Sequence, residues 1–251
     1  KHLASSVTAV TPKGRVPLDH ESHGVWVGTV PEADEGHVPD YRLEVEYGDG
    51  HLVTVDDPYR YMPSIGELDL HLIGEGRHEE LWKALGAHVE RHHSVLGNVE
   101  GTSFKVWAPN AQAVQVKGDF NGWDGREHAM RSLGTSGVWE IFIPGVVAGM
   151  CYKFGILTRH GHWVERADPM AFATEVPPLT ASRVDESNYA FKDDEWMAAR
   201  ALKDPHNAPM SVYEVHIGSW KPGLGYRELA EELVEYVTHM GFTHVEFMPV
   251  A

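Results

Sequence analysis

Residues 41–61 read YRLEVEYGDGHLVTVDDPYRY, and residues 152–172 read YKFGILTRHGHWVERADPMAF. They align without a gap, and Tyr, Gly, His, Val, Asp and Pro coincide. Each stretch alternates apolar and polar residues with period two and turns at a glycine-containing tip, Gly48-Asp49-Gly50 or His160-Gly161. Each then ends in Asp-Pro, which cannot continue a central strand. The chain therefore carries one predicted β-hairpin twice. A second element precedes each copy in the same order: Gly24-Val25-Trp26 ending at Val30-Pro31, and Gly137-Val138-Trp139 ending at Ile143-Pro144.

Working outward, the second copy is the fuller one. It opens with the alternating string Ser103-Phe104-Lys105-Val106-Trp107-Ala108, then Val114-Gln115-Val116 and the turn-rich GDFNGWDG. Short strands at this regular spacing predict a β-sandwich. The first copy lacks that opening strand and starts at Lys1, so it reads as a sandwich truncated at its N-terminus. From Ser211 the pattern changes to an apolar strand over 212–217, a helix with apolar residues at Tyr226, Leu229, Leu233, Val237 and Met240, and a strand over 243–250. This is one βαβ unit, whereas closing an eight-stranded barrel takes about 200 residues. The expected architecture is mainly β: two tandem immunoglobulin-like β-sandwiches, then the first βαβ unit of an incomplete (β/α)8 barrel. The predicted boundaries are 1–90 for the first sandwich, 91–100 for a linker, 101–192 for the second sandwich, 193–210 for a linker and 211–251 for the barrel start. On this reading the chain is the front part of a longer protein.

The 251 residues carry 21 Lys+Arg against 37 Asp+Glu, a formal charge of −16 that repels a phosphate backbone and an anionic membrane. Nucleic acid and membrane are therefore excluded as partners. No apolar run approaches the roughly 20 residues that span a bilayer. Cys151 is the single cysteine, so no internal disulfide can form, and a reducing cytoplasm is the expected compartment. His88 and His92, spaced for one helix face beside His93, have no further ligands at zinc-like spacing, so no metal site is expected. Cys151 reads as a small buried hydrophobe.

Three strings, GELDLHLIGEG near Gly66, VWAPNAQAVQVKGDFNGWDGREHAMR near Val106 and VYEVHIGSW near Val212, resemble the 1,4-α-glucan (glycogen) branching enzymes of glycoside hydrolase family 13. The middle string resembles the family-48 carbohydrate-binding module, which debranching enzymes, trehalose-forming hydrolases and a glycogen-sensing kinase subunit also share. The resemblance implies a retaining transglycosylase that cuts α-1,4-glucan and forms α-1,6 branches through a glycosyl-enzyme intermediate, without cofactor or metal. It places the nucleophile and the acid/base beyond Ala251, so no catalytic residue is assigned here and the fragment alone is expected to be inactive. Its expected partners are α-1,4-glucan or glycogen and the remainder of its own catalytic chain. A non-catalytic glycogen-targeting module and a family-13 debranching or trehalose-releasing hydrolase are the alternatives.

A pyranose ring offers an apolar C–H face and a hydroxyl rim, so its site needs flat aromatic surface with polar groups at the edge. Trp123, in the turn Asn121-Gly122-Trp123-Asp124-Gly125, and Trp163, after the Gly161 tip, are the candidate stacking rings. By motif position they are similar to the tryptophans of the glycogen-binding modules, Lys153 to their hydroxyl-binding lysine, and Asn188 to a fourth contact. The competing reading is that both rings cap the sandwich core. The repeat supplies a control, since Trp163 aligns with Leu52 and Lys153 with Arg42, while Tyr41/Tyr152 and Asp-Pro persist. What the copies share is read as fold-making, namely Tyr152, Trp139, Asp168 and Pro169; what they do not share is read as function. His160 and His162 flank the hairpin tip, where sugar contact and simple tolerance of the turn both fit. Glu214 lies mid-strand, away from the C-terminal strand ends where barrel active sites form, whereas Gly218-Ser219-Trp220 stands nearer such an end.

Overall fold

The computed structural model describes residues 3–30 and 38–250. The chain divides into two units, Lys1–Asn188 and Tyr189–Ala251.

The first unit opens with β1 (Ala4–Thr11), β2 (Gly14–Ser22), β3 (Val25–Val27), β4 (Arg42–Tyr47) and β5 (Leu52–Val55), which form one antiparallel sheet in the order β3-β2-β1-β4-β5. The module that follows contains β6 (Gly86–His92), β7 (Val99–Trp107), β8 (Ala111–Gly118), β9 (Arg131–Ser132), β10 (Val138–Pro144), β11 (Cys151–Thr158), β12 (Trp163–Arg166), β13 (Ala173–Thr174) and β14 (Ser182–Arg183). One sheet runs β6-β7-β10-β9; the other runs β12-β11-β14-β13 with β8 on β11. Both sheets contribute apolar side chains to one core, from Phe104, Val106, Ile141 and Ile143 on one side and Val114, Val116, Tyr152 and Phe154 on the other. Because alternate strand residues point to one face, burying these sets together is what makes a sandwich.

The hairpin repeat holds to the level of single hydrogen bonds. Leu43 to Glu46 pair with Val55 to Leu52 in the same register in which Phe154 to Leu157 pair with Arg166 to Trp163. The glycine tip closes alike, with Gly50 N–H on Tyr47 O at 2.8 Å and Gly161 N–H on Thr158 O at 2.9 Å. Both glycines lie in the left-handed region, at φ +77° and +80°, which a residue with a Cβ adopts at a cost. The tyrosine that opens each copy donates its hydroxyl to the aspartate of Asp-Pro at 2.6 Å, Tyr41 to Asp57 and Tyr152 to Asp168. The other carboxylate oxygen accepts the amide two residues on, Tyr59 at 2.9 Å and Met170 at 2.8 Å. Tyr152 and Asp168 are therefore fold-making residues, as Trp139 is, whose ring packs on the core and donates Nε1–H to Ala108 O at 3.1 Å.

The repeat also reaches a third strand that the sequence did not disclose. Val7 and Ala9 oppose Val45 and Leu43 as Val114 and Val116 oppose Ile156 and Phe154, and the register slips at the corresponding place in both pairs. β1 is thus the structural twin of β8, although only short apolar matches link their sequences. The copies then diverge. After β8 the chain crosses to the opposite sheet, whereas after β1 it turns back into β2 and β3 and widens the same sheet. Among the described residues the first copy is accordingly a five-stranded sheet and not the truncated sandwich expected. The Gly24/Gly137 match does not extend the structural repeat, because β3 pairs with β2 while β10 pairs with β7 and β9. The Pro31 end of that element lies outside the described residues.

The expected boundaries shift as well. β6 pairs along its whole length with β7, so the second module takes in residues 86–92, and the stretch read as a linker over 91–100 begins and ends in strand. His88 and His92 consequently stand on a strand and not on a helix. Among the described residues no group of three or more His, Cys, Asp or Glu side chains is placed to hold a metal ion.

Residues 56–85 join copy to module and are pinned to it. Tyr59 donates its hydroxyl to Ala129 O at 2.8 Å, Arg131 donates to Tyr61 O at 3.0 Å, and Ser64 donates both N–H and Oγ–H to Glu140 at 2.7 and 2.9 Å. Tyr61 stacks 4.5 Å from Phe142. Buried Arg60 pairs with Asp40 and Asp56 and donates to the Tyr61 hydroxyl. In the same segment α1 (Glu67–Gly74) and α2 (Leu81–Ala84) lay Ile73 and Leu85 against Val138.

In the second unit α3 (Asp194–Ala201) precedes β15 (Val212–Val215), α4 (Ile217–Trp220), α5 (Tyr226–Met240) and β16 (His244–Phe247). β15 and β16 are parallel, which requires a crossover, and α5 supplies it. Leu229, Leu233 and Val237 of α5 are buried with Val215; Tyr226 and Met240, expected on that face, are exposed. The first strand is shorter than predicted because His216 caps α4 instead of continuing it. Gly218, Ser219 and Trp220 therefore form a helical turn just past the C-terminal end of β15. Among the described residues no helix is long and apolar enough to cross a membrane.

Candidate functional site

The outward face of the β8-β11-β12 layer follows from register. Tyr152 and Phe154 point into the core, so Lys153, Gly155 and Leu157 point out. Directly opposed residues share a face, which adds Ala113, Gln115 and Lys117 from β8 and Trp163 and Glu165 from β12. Trp163 is 52% exposed, so core capping does not describe it. Its counterpart Leu52 occupies the same register position in the first copy, with Arg42 where Lys153 stands.

The turn carrying Trp123 is brought to this face by Gly125. A Cβ at Gly125 would lie 2.7 Å from Gln115 Cγ and 2.9 Å from Lys117 Cγ, so the backbone there rests directly on the outward residues of β8. Trp123 is half-buried at φ +63°, a left-handed conformation that a bulky residue rarely adopts. Several bonds hold it there. Asp124 N–H closes the turn on Asn121 O at 3.0 Å, Trp123 N–H reaches Gly118 O at 3.0 Å, and the indole N–H reaches Asp119 Oδ1 at 3.2 Å. Asn121 in turn accepts from Gly118 N–H and donates to Val116 O, both at 2.9 Å. These bonds hold the strained backbone of Trp123 in place.

The outward face around Lys153 is polar. Lys117 pairs with Glu165, and this neighbour holds the Glu165 carboxyl below its ordinary range. Lys153 donates to Thr180 Oγ1 at 2.8 Å. Gly155 keeps this face low, since a Cβ there would come within 2.9 Å of Gln115 Cγ. This face carries the exposed Trp163 indole beside amine, amide and carboxylate groups, which is the chemistry for stacking a neutral sugar and bonding its hydroxyls.

Of the four residues singled out from sequence, Lys153 and Trp163 share this face by register, and Trp123 stands in the turn whose Gly125 rests on Gln115 and Lys117. Asn188 stands exposed in irregular chain after β14, and neither register nor a hydrogen bond among the described residues ties it to the others. Gln115, Lys117, Glu165 and Thr180 were missed. The strand periodicity that identifies Lys153 as outward identifies the first three too, once the partner strands are known. Cys151 is only half-buried at the start of β11, with its amide on Asp119 Oδ2 at 2.8 Å, and burial pushes its thiol pKa up. It is less enclosed than expected because the strand's first residue sits at the sheet's rim.

Residues 84–171 match the family model for carbohydrate-binding module 48 (isoamylase N-terminal domain), and residues 2–59 match that for the N-terminal domain of the α-1,4-glucan branching enzyme GlgB. The chain is 61% identical over 250 residues to the 1,4-α-glucan branching enzyme GlgB of Thermobifida fusca, covering 99% of this chain and 33% of that protein. To the enzyme of the same name from Leifsonia xyli it is 54% identical, with the same coverage. The chain thus spans about a third of the length of the curated relatives it matches. Against the crystal structure of a pullulanase from Anoxybacillus sp. LM18-11, identity is 21% and the TM-score 0.46, over 98% of this chain and 35% of that one.

Proposed function

This chain is an N-terminal part of a protein of the 1,4-α-glucan branching-enzyme kind, and on that premise we propose that it holds α-1,4-glucan for a branching reaction carried out by the rest of its protein. The observation that supports the reading is an outward face of a family-48 module that holds Lys153 and Trp163 in register, with the turn of Trp123 resting on its Gln115 and Lys117 through Gly125. Trp123 and Trp163 stack on pyranose rings, and Lys153 bonds their hydroxyls. The first copy, with Leu52 and Arg42 at the corresponding positions, acts as a spacer pinned to the module through Arg60 and Tyr61.

The second unit favours a catalytic protein over a targeting module. Its two parallel strands and one helix leave Val245 and Phe247 of β16 exposed. A parallel pair covered by a single helix belongs inside a larger parallel sheet. We read it as the opening of a (β/α)8 barrel in which later strands supply the carboxylate nucleophile and the acid/base of a retaining transglycosylation, with a sugar hydroxyl in place of water as acceptor. Glu214 lies mid-strand and takes no part; the segment alone is inactive. The protein works in the reducing cytoplasm, where Cys151 stays a free thiol. Incubating the whole protein with amylose tests the activity. Branching lowers iodine absorbance while releasing little reducing sugar, whereas release of free oligosaccharides or trehalose would assign a debranching or trehalose-releasing hydrolase instead.

A further inference from the structure

The hairpin tip that leads into Trp163 has a second aromatic surface beside it. Trp107, the last residue of β7, is 53% exposed. Its ring is fixed, because Nε1–H donates to Ser136 O at 3.3 Å and lies against Gly137, where a Cβ would come within 3.2 Å of that nitrogen. The ring borders an open hollow of about 500 Å³, lined also by half-buried Ile156 and by exposed Pro109, Asn110, Arg159 and His160. Arg159 and His160 are exposed and joined by a contact of 3.2 Å, and Gln112 holds the tip backbone through Arg159 O at 3.4 Å. An oriented indole and a proline ring beside amide, guanidinium and imidazole groups match the apolar face and hydroxyl edge of a pyranose. The net charge of −16 disfavours a polyanion as the occupant.

The geometry points to a second α-glucan contact site, built on Trp107 and the Arg159-His160 tip and distinct from the Trp123–Trp163 face. The choice of α-glucan rests on the function proposed above. Trp163 follows His160 by three residues on the same hairpin, so that hairpin contributes a residue to each site. Two modest sites on a rigid body engage one long polymer with an avidity that neither reaches on a short oligosaccharide. The second site accordingly contributes to maltoheptaose and glycogen more than to maltotriose.

The test uses maltoheptaose titrations by calorimetry on the chain and on W123A/W163A. The expected result is weaker but measurable binding by W123A/W163A, lowered at least fivefold further by R159A/H160A at the exposed tip and by W107A. W107F, which keeps a flat ring, sits between. Circular dichroism of R159A/H160A matching the parent keeps a folding defect from passing for lost contact. If W123A/W163A binds nothing, or if R159A/H160A leaves its residual binding unchanged, the second site is overturned while the first face stands. If W123A/W163A binds like the unaltered chain, the first face fails, and a loss caused by R159A/H160A would assign binding to the Trp107 site alone.

Discussion

Replacing Tyr152 with phenylalanine removes one hydroxyl from a fully buried ring and takes the donor from Asp168, itself 6% exposed. Asp168 Oδ2 then faces a bare phenyl edge, with the Met170 amide on Oδ1 as the carboxylate's remaining donor among the described bonds. A buried hydrogen bond to a charged acceptor is worth about 1.5–3 kcal/mol, and the orphaned oxygen adds to the loss, so Y152F should cost roughly 2–3 kcal/mol. The first copy supplies the comparison. Tyr41 makes the same bond at the same length to Asp57 but is only partly buried, so water can replace the lost hydroxyl and Y41F should cost about 1 kcal/mol. Urea unfolding followed by tryptophan fluorescence measures both. The pH dependence has a definite sign. Burial raises the Asp168 carboxyl pKa, and the hydroxyl stabilises its charged form. The gap between parent and Y152F should therefore narrow as pH falls through the range in which folded Asp168 takes up its proton. Equal costs for Y41F and Y152F, or a Y152F cost below about 0.5 kcal/mol, would refute the burial argument.

Burial also raises the phenol pKa values of Tyr41, Tyr59, Tyr61 and Tyr152, that of Tyr61 up to about 12. Folded values above the unfolded value give stability that is complete below about pH 10 and lost as pH rises further. Absorbance at 295 nm should show these four ionising together with loss of ellipticity; their smooth titration in an intact fold would contradict it. Arg60→Ala leaves Asp40 without its cation and Asp56 with Arg42 alone, and should cost about 2–3 kcal/mol and expose the chain over 56–66 to limited proteolysis. A cleavage rate equal to the parent's would show that the joint does not depend on it. Gly155→Ala pushes Gln115 off the outward face and should weaken maltoheptaose binding several-fold with a small change in melting temperature. Unchanged affinity would mean that sugar does not approach that face.

What was legible in the sequence was local. The hairpin register of β4-β5 and β11-β12 could be read because period-two alternation, a glycine tip and Asp-Pro fix it within 21 residues. The outward placement of Lys153 could be read from the alternation of β11, and that of Trp163 from its place one residue past the glycine tip's His162. What depended on distant pairing was hidden. That β1 repeats β8 is a fact about partners, since the two strands share little beyond Val7/Val114 and apolar Ala9/Val116. That the described strands of the first copy form one sheet was hidden for the same reason: whether β2 and β3 cross over or widen that sheet is decided by the two-residue turn after Thr11. His88 and His92 are compatible with helix or strand when read alone, and pairing with the apolar β7 decides for strand. The role of Gly125 in bringing the Trp123 turn onto β8 is a close-approach requirement that no spacing announces.

Affinity electrophoresis through glycogen-containing gels, comparing the chain with W123A/W163A, tests the central claim most directly. The unaltered chain should be strongly retarded, the double variant should lose most of that retardation, and both should migrate alike in gels without glycogen. Equal retardation of the two proteins in glycogen would contradict the assignment of this face as the principal holder of the polymer.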